Sequence, residues 1–319
     1  MRELLIGVDG GGTKTNLVAV DIRTGEVVAS AATGSIHLTA MGEKAALDNF
    51  RQGIAGLHLA GGDHVAAIAI GDPSVDDCDG KDASPVLSAA VAEWLENAKI
   101  FIKSDVFMAM YAFSGGAPGA FLIAGTGSMG IALTKPYRHG GENVFLTVGG
   151  WAVPTSDPGS GYDIAVRGIQ AALNAFDGIA GPTRLCEALL EFVGVNSPRE
   201  LIPWFNQGNR TRGEIARFAL AVDRCAREGD GLAGDILDSA GRDLGRYAVR
   251  LMEDLPTPRI GVYGSVLLHN RGVWQAFEAH VQAAMPGATI HRPALPPEYG
   301  AVQFAADALG IDRRVWKWK

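Results

Sequence analysis

This sequence has few cysteines, and its basic residues are outnumbered by its acidic ones. Each of these features argues against a class of protein. Cys78, Cys186 and Cys225 are the only cysteines among 319 residues, and no two of them have Cys-x-x-Cys spacing. Widely separated cysteines are typical of a reducing cytoplasm and indicate no metal or iron–sulfur site. The 28 Lys and Arg residues against 35 Asp and Glu give a net charge of −7, which argues against a nucleic-acid-binding surface.

Long apolar stretches are missing as well. Hydrophobic residues make up 47% of the chain, yet no uninterrupted run approaches the roughly 20 residues of a membrane-spanning helix. The first apolar run is broken by Asp9, which is not the pattern of a secretory signal peptide. We therefore expect a soluble cytoplasmic protein, long enough for two domains that each have a core.

Glycine, by contrast, is abundant, with 42 copies, and its most informative cluster follows the first apolar stretch. Asp9 precedes Gly10–Gly12, and Thr13–Thr15 leads into a second, β-branched stretch. Consecutive glycines let backbone N–H groups line an anion site. Walker A loops and dinucleotide fingerprints both continue into a helix, so the β pattern excludes them. The sequence predicts a β-hairpin whose tip holds phosphate; the alternative is an ordinary tight hairpin with glycines at positive φ.

Hydrophobic periodicity predicts an α/β chain with two similar halves. The second half restarts with a strand, the turn Gly125-Thr126-Gly127-Ser128 and another strand. We place one domain at 1–117 and another at 118–297, with a mostly helical insertion at about 160–255 and a final helix at about 298–319 that can pack back on the first domain. The predicted elements are strands at about 4–9, 15–21, 26–32, 65–71, 98–103, 258–263 and 288–291, and helices at about 43–58, 84–96, from 105, 271–284 and 298–309.

At this point the chain resembles a known group of proteins. Three segments are similar to the two phosphate motifs and the adenosine motif of the sugar kinase, actin and heat-shock ATPase superfamily: Asp9–Thr15, Gly125–Ser128 and Gly264-Ser265. Three more resemble segments of the BadF/BadG/BcrA/BcrD ATPase family, whose best-understood members are N-acetylglucosamine kinases: Gly149-Gly150-Trp151, Asp157–Tyr162 and Pro296–Ala301. This resemblance implies two RNase H-like domains of the actin-like ATPase type that flank a nucleotide cleft.

Two carboxylates are candidates for the chemistry. Phosphoryl transfer to an alcohol needs a carboxylate that takes the hydroxyl proton. Asp105 is our candidate for this base, because it follows the apolar stretch 100–104 and so lies at the carboxyl edge of a strand. A helix N-cap is the alternative. Asp9 is predicted to hold Mg²⁺ through water, with a plain strand-end carboxylate as the alternative.

The resemblance also implies the contacts of ATP. Phosphate is expected on both glycine turns, and the adenine and ribose are expected beside a strand-to-helix turn in the second half. The residues are Gly11, Gly12, Thr13 and Lys14 on one side of the phosphates, Thr126 and Gly127 on the other, and Gly264 and Ser265 for the nucleoside. The Gly-Ser pair is weak evidence by itself, since any strand-to-helix turn can contain one.

The acceptor sugar is predicted from fewer residues. By resemblance Asp157 holds sugar hydroxyls, unless it only caps a helix, and Trp151 offers a flat face, unless it only fills the core. His37 is either a donor to a sugar hydroxyl or a structural histidine. Asp72, Asp76 and Asp77 are either solvated charges of a surface loop or favour a cationic amino sugar through Coulomb attraction. Ser74 lies in the same loop.

The sequence departs from the family pattern on the sugar side. No Asn occurs in Gly34–Leu38, Met129 follows the second glycine turn where those kinases tend to have Asn, and 71–77 replaces a glycine-rich turn. We therefore predict an ATP- and Mg²⁺-dependent kinase of a hexose or amino sugar, with N-acetylglucosamine or glucosamine favoured. Its partners would be a small-molecule sugar, no nucleic acid and no membrane, and a homodimer is left open.

Two other functions are considered. One is an ATPase that drives electron transfer to a radical dehydratase or reductase, as other members of the family do. Those proteins bind an iron–sulfur cluster through grouped cysteines, and the cysteines here have no such grouping. The other is a sensor that binds sugar and ATP without turnover, but no DNA-binding helix pair or basic face supports it.

Overall fold

The structure is a computed structural model that describes residues 2–75, 85–95, 97–151, 157–206, 210–316 and 318. Asp76, Asp77 and Cys78 therefore lie outside the described residues. The chain divides into two compact units, each made of more than one segment. The first unit holds Met1–Phe121, Ile131–Leu146 and Pro293–Lys319, and the second holds Leu122–Gly130 and Thr147–Arg292. The predicted domain boundary between residues 117 and 118 stays a prediction.

Strands and helices alternate along much of the described chain. The strands are β1 (Glu3–Gly10), β2 (Lys14–Asp21), β3 (Val27–Gly34), β4 (His64–Asp72), β5 (Lys99–Ser104), β6 (Gly119–Ala124), β7 (Ser128–Leu133), β8 (Phe145–Gly149), β9 (Arg259–Tyr263) and β10 (Thr289–His291). The helices are α1 (Leu38–Met41), α2 (Glu43–Gly56), α3 (Pro85–Trp94), α4 (Asp105–Ser114), α5 (Gly161–Phe176), α6 (Leu185–Val193), α7 (Leu201–Asn206), α8 (Arg212–Ala216), α9 (Ala219–Arg227), α10 (Gly231–Met252), α11 (Ser265–His269), α12 (Arg271–Ala284) and α13 (Pro297–Ala308).

The first sheet has the strand order β3-β2-β1-β4-β5. The strands β1, β2 and β3 are antiparallel neighbours, whereas β4 is parallel to both β1 and β5. Leu5 and Ile6 of β1 are fully buried, as expected for a central strand that is covered on both faces. Because β1, β4 and β5 are parallel, their carboxyl ends bring Asp9, Asp72 and Asp105 to the same edge of the sheet.

The C-terminal helix α13 packs against β1 and α4. Two glycines permit this close approach. A β-carbon at Gly7 would overlap the carbonyl oxygen of Glu298, and one at Gly300 would overlap the carbonyl oxygen of Met108. The first turn of α13 therefore lies beside β1 in the first unit, and its acidic residue, Glu298, is close to the strand that carries Asp9.

A second sheet has the strand order β10-β9-β6-β7-β8, with β9 parallel to β10. Between β8 and β9 the chain forms the helices α5 to α10. Leu237, Leu244 and Leu251 of α10 are buried on one face of the helix. A β-carbon at Gly241 would overlap the carbonyl oxygen of Val273, so this glycine lets α10 pack closely on α12. The region predicted to be mostly helical is helical, and its status as an insertion stays a prediction.

The two mixed five-stranded sheets with their helices confirm the predicted α/β fold class. One strand, β8, was not predicted. It is a five-residue strand at the end of the sheet order, and all of its residues are half-buried. Its short sequence does not show the alternation of apolar and polar residues that identifies longer strands. Within the described ranges, no helix is long and apolar enough to span a lipid bilayer.

Candidate active site

The first glycine turn is the tip of the β1–β2 hairpin, as predicted. The backbone N–H of Gly11 donates to the carbonyl oxygen of Lys14 at 2.9 Å, and the hydroxyl of Ser35 donates to the carbonyl oxygen of Gly11 at 2.9 Å. A β-carbon at Gly12 would meet no heavy atom within 4 Å. The glycines with positive φ do not include Gly10, Gly11 or Gly12. Of the three, only Gly12 leaves open space, because a β-carbon at Gly10 would overlap the carbonyl oxygen of Gly71 and one at Gly11 would come within 2.9 Å of the Lys14 carbonyl oxygen. Phosphate binding at this turn stays a prediction.

Asp9, at the end of β1, lies among other acidic groups of the first unit. Burial, above all, raises the pKa of Asp9 to about 7. The negative charges of Asp105 and Glu298 add to this rise. A hydrogen bond from the Asn16 side chain and the positive charge of Lys14 lower the same pKa. Three carboxyl groups and one ammonium group thus interact at the hairpin, and the excess of negative charge favours a bound cation.

Asp105 is the first residue of α4 and not its N-cap. The N-cap is Ser104, whose hydroxyl accepts a hydrogen bond from the Phe107 backbone N–H at 3.1 Å. One carboxylate oxygen of Asp105 accepts from the Val106 backbone N–H at 2.7 Å. The interpretation of Asp105 as the helix cap is therefore wrong, because the preceding serine satisfies that need. A β-carbon at Gly71 would come within 3.0 Å of the Asp105 α-carbon, so Asp105 sits against the end of β4.

The loops after β3 and β4 bring three of the predicted sugar-binding residues together. The Nδ1 atom of His37 lies 3.1 Å from the hydroxyl oxygen of Ser74 and 3.1 Å from that of Thr39. Asp72 is fully buried, and one of its carboxylate oxygens accepts from the Ser74 backbone N–H at 2.8 Å. Burial raises the pKa of Asp72. Asp72 therefore fixes the turn that carries Ser74 and is not a solvated charge; Asp76 and Asp77 lie outside the described residues.

In the second unit, the turn Gly125–Ser128 joins β6 to β7 and is fixed to the start of α5. The Gly161 and Tyr162 backbone N–H groups donate to the carbonyl oxygens of Gly125 and Thr126 at 2.8 and 3.2 Å. The hydroxyl of Ser128 donates to the carbonyl oxygen of Pro158 at 2.9 Å. The first N–H groups of α5 are therefore used to hold the turn, and they are not available to a ligand.

Asp157 lies beside this turn in a strained and buried position. Its φ is 73°, unusual for a residue with a side chain, and the residue is 2% exposed. One carboxylate oxygen pairs with the guanidinium of Arg212, and the other is buried without a hydrogen-bond partner among the described residues. The N-cap of α5 is Ser160, whose hydroxyl accepts from the Asp163 backbone N–H. The helix-cap interpretation of Asp157 is therefore wrong.

Trp151 is 82% exposed, so its interpretation as core filling is wrong. It follows Gly149 and Gly150, which have φ values of 74° and 73°, a left-handed conformation that glycine adopts without strain. A β-carbon at Gly149 would come within 2.9 Å of the Ser128 carbonyl oxygen, so this backbone runs close to the second glycine turn. The indole is thus presented to solvent from a segment of the second unit that adjoins the turn.

Gly264 and Ser265 form the turn between β9 and α11. Gly264 has a φ of 94°, and a β-carbon there would overlap the carbonyl group of Ala124. Ala124 is the last residue of β6, directly before Gly125. The predicted nucleoside motif and the second phosphate motif are therefore neighbours within the second unit, and glycine is required at Gly264 by both its backbone angle and this close approach.

Two charged residues at these sites were missed from the sequence. Glu298 follows two prolines at the start of α13, where an acidic residue has a local helical explanation. Arg212 lies inside the capping box formed by Thr211 and Glu214, which also has a local explanation. Neither residue has a sequence signal that points to its distant neighbour, Asp9 in one case and Asp157 in the other.

The acidic group around Asp9 suits a divalent cation held through water. Among the described residues, no three His, Cys, Asp or Glu side chains are placed to hold a metal ion directly. One carboxylate oxygen of Glu298 is buried and has no hydrogen-bond partner among those residues, and burial raises the pKa of this group. Magnesium bound to nucleotide phosphates usually keeps several waters and needs only one or two carboxylates, and Asp9 and Glu298 could provide them.

Two mixed five-stranded sheets, each with a glycine turn after its central strand, define an α/β protein of the actin-like ATPase fold. The model of the BadF/BadG/BcrA/BcrD ATPase family matches residues 6–305, and the chain belongs to this family. This confirms the resemblance found from the motifs.

Two relatives and one solved structure show what the chain is similar to. An N-acetylmuramic acid/N-acetylglucosamine kinase of Clostridium acetobutylicum is 28% identical over 243 residues, which are 75% of this chain and 76% of that protein. The glucosamine kinase GspK of Vibrio cholerae is 28% identical over 264 residues, 82% of this chain and 84% of that protein. A structure solved as a candidate N-acetylglucosamine kinase from Chromobacterium violaceum has a TM-score of 0.73 at 25% identity and covers 95% of this chain and 98% of that chain.

Proposed function

We propose that this protein transfers the terminal phosphoryl group of ATP to a hydroxyl group of an amino sugar, N-acetylglucosamine or glucosamine. The observation that carries this proposal is Asp105, a carboxylate at the same sheet edge as the phosphate hairpin that is not needed as the cap of its helix, since Ser104 has that role. The activities of the related kinases from Clostridium acetobutylicum and Vibrio cholerae support the reaction and the substrate class.

The reaction requires little covalent chemistry from the protein itself. The sugar hydroxyl oxygen forms a bond to the terminal phosphorus of ATP as the bond from that phosphorus to the bridging oxygen breaks, and ADP leaves. Asp105 accepts the hydroxyl proton. The residues assigned to phosphate oxygens are Gly11, Gly12, Thr13, Lys14, Thr126 and Gly127. Gly264 and Ser265 border the nucleoside.

Asp9 and Glu298 are the residues that would hold Mg²⁺, through its water ligands. When bound, the ion neutralises the charge of the nucleotide phosphates. Asp9 must lose its proton for this role, and its pKa of about 7 makes that loss dependent on pH in the neutral range. Lys14 lowers the pKa of both acids and so favours their charged forms.

The sugar is assigned to an exposed aromatic ring and to polar side chains near the two glycine turns. Trp151 offers an exposed aromatic face for the sugar ring. The unpartnered carboxylate oxygen of Asp157 can accept a hydrogen bond from a sugar hydroxyl. His37 and Ser74 are held in one cluster after β3 and β4, with Asp72 buried behind them. One carboxylate oxygen of Asp72 is buried without a hydrogen-bond partner among the described residues, and a preference of its charge for glucosamine over N-acetylglucosamine stays a prediction.

A coupled assay of ADP release across a panel of sugars tests the proposal. We expect ADP release that depends on N-acetylglucosamine or glucosamine, with little release when sugar is omitted. The phosphorylated sugar is then identified by mass spectrometry. ADP release that is equally fast without any sugar would reject the kinase and leave an ATPase. Binding of ATP and sugar with no turnover would leave a sensor.

A further inference from the structure

The ion pair between Arg212 and Asp157 joins two segments that are far apart in sequence. Arg212 begins α8, and Asp157 precedes α5. The side chain of Asp157 is 3% exposed and that of Arg212 is 33% exposed. Burying two charges is costly unless both are well paired. The cost is only partly offset here, because an oxygen of Asp157 and the Nε of Arg212 are buried without hydrogen-bond partners among the described residues.

The guanidinium of Arg212 also lies directly on the second glycine turn. A β-carbon at Gly127 would overlap the Arg212 guanidinium and would come within 3.0 Å of the paired Asp157 oxygen. A side chain at Gly127 would therefore displace the end of the Arg212 side chain from the turn. The turn resembles a phosphate motif, and the cation beside it is an arginine that the family motifs do not include.

Other sources of positive potential at this turn are weak. The leading N–H groups of α5 are bonded to the carbonyl oxygens of Gly125 and Thr126, and its N-cap is satisfied by Ser160. The helix start therefore stabilises the turn and does not bind an anion itself. Arg212 has five donors in a planar fork, and Nη2, which shares one edge of the guanidinium with Nε, pairs with Asp157. The opposite edge, which carries Nη1, can donate to another acceptor.

We propose that Arg212 binds the terminal phosphate of the nucleotide at the Gly125–Ser128 turn, and that Asp157 positions its guanidinium. This inference rests on the proposed kinase function. A phosphate oxygen accepts from the Nη1 edge of Arg212, and the guanidinium stabilises the charge that spreads over the phosphoryl oxygens during transfer. Asp157 then has two roles at once, since one carboxylate oxygen holds Arg212 and the other is left for a sugar hydroxyl.

The test compares nucleotides that differ by the terminal phosphate. The full chain and its R212Q variant are titrated with Mg²⁺–ADP and with a non-hydrolysable ATP analogue, and turnover with ATP and sugar is measured. We expect R212Q to weaken analogue binding about tenfold, to change ADP binding less than about twofold, and to lower kcat about 10²–10³-fold, as for loss of a phosphoryl-stabilising donor. An unchanged ratio of analogue to ADP affinity would overturn the inference.

Two further variants separate this role from a structural one. Arg217 is an exposed arginine close by in sequence, and R217Q should behave as wild type in every measurement. R212K keeps a charge but loses the planar fork, so it should restore part of the analogue affinity and less of the turnover. An R212K variant that melts as wild type and recovers only part of the analogue affinity supports a role for the planar fork. Full wild-type kinetics in R212K would overturn that role.

The positioning role of Asp157 is tested with a double variant. If Asp157 acts on the phosphate through Arg212, D157N and R212Q should not be additive in their effect on analogue affinity. Additive losses would overturn the positioning role. A loss of sugar affinity alone in R212Q, with both nucleotides bound as in wild type, would place Arg212 on the sugar and would also overturn the inference.

Failure of the inference and failure of the proposed function are distinguishable. A wild-type protein that phosphorylates no sugar of the panel rejects the kinase, and the nucleotide titrations still report on Arg212. A wild-type protein that is an active kinase, with R212Q as fast as R217Q, rejects only the role of Arg212.

Discussion

The two glycine turns have similar sequences but opposite electrostatic surroundings. The hairpin turn of the first unit lies beside three interacting carboxyl groups, of Asp9, Asp105 and Glu298. The turn of the second unit lies beside an arginine that pairs with one carboxylate, Arg212 with Asp157. An acidic surrounding favours a cation next to the phosphates, whereas the arginine can contact them directly. If each glycine turn holds phosphate, as we propose, the neighbouring charges decide how that phosphate is neutralised.

The largest expected effect comes from the base in the acidic surrounding. Asp105→Asn should lower kcat about 10²–10⁴-fold, because the sugar hydroxyl loses its proton acceptor. The affinity for Mg²⁺–ADP at pH 8, where Asp9 is charged in both proteins, should stay nearly unchanged. Steady-state kinetics and calorimetry measure the two quantities. Asp48→Asn, on an exposed helix face with a lysine partner, is the control and should retain full turnover. A fully active Asp105→Asn variant would show that another group takes the proton.

The glycine turns themselves can be compared by adding one methyl group to each. Gly127→Ala should raise the KM for ATP about 10–100-fold and destabilise the fold by about 1–3 kcal/mol, because its β-carbon overlaps Arg212. Gly12→Ala meets no atom of the protein, so its melting temperature should stay at the wild-type value while its KM for ATP rises. Kinetics and thermal unfolding of both variants check this. An equal decrease in melting temperature for the two variants would contradict the distinction between the open turn at Gly12 and the occupied turn at Gly127.

The pH dependence of nucleotide binding should report on Asp9. Since the pKa of Asp9 is raised to about 7, most of the protein has a neutral Asp9 at pH 6 and a charged one at pH 8. Affinity for Mg²⁺–ADP should therefore rise about tenfold between these pH values, because the ion favours the charged carboxylate. Asp9→Asn should remove this rise and leave only the titration of the nucleotide itself. Calorimetry at both pH values measures it, and an identical profile in the variant would exclude Asp9.

A smaller change is expected from Glu298, which lies in the Pro296–Ala301 segment but was given no role from the sequence. Removing its negative charge with Glu298→Gln should lower the pKa of Asp9, since like charges disfavour ionisation. The rise in Mg²⁺–ADP affinity between pH 6 and pH 8 should then shrink to about threefold. The exposed Glu278 provides a matched control, Glu278→Gln. A profile in Glu298→Gln with an unshifted midpoint would show that the two acids do not interact in solution.

Much of the fold followed from periodicity and turn chemistry. The predicted strands at about 4–9, 15–21, 65–71 and 98–103 correspond to β1, β2, β4 and β5 within two residues at each end. The apolar residues of these strands are continuous or alternate along the sequence. This local pattern was sufficient to predict the strands. The β8 strand was missed, because its residues are only half-buried and its strand identity depends on pairing within the sheet. The cytoplasmic location, the homodimer and the role of each site residue stay predictions.

The sequence by itself determined which segments become strands and helices, where the glycine turns fall, and which family the chain belongs to, because these depend on residues that are near one another along the chain. Only the tertiary structure decided that Glu298 interacts with Asp9 and that Arg212 covers Gly127. Those pairs are separated by tens to hundreds of residues, and their energies depend on distance and burial in space. The same physics explains why Asp72, Asp105 and Asp157 had open alternatives in sequence: burial and capping of a carboxylate are properties of its neighbours in the fold.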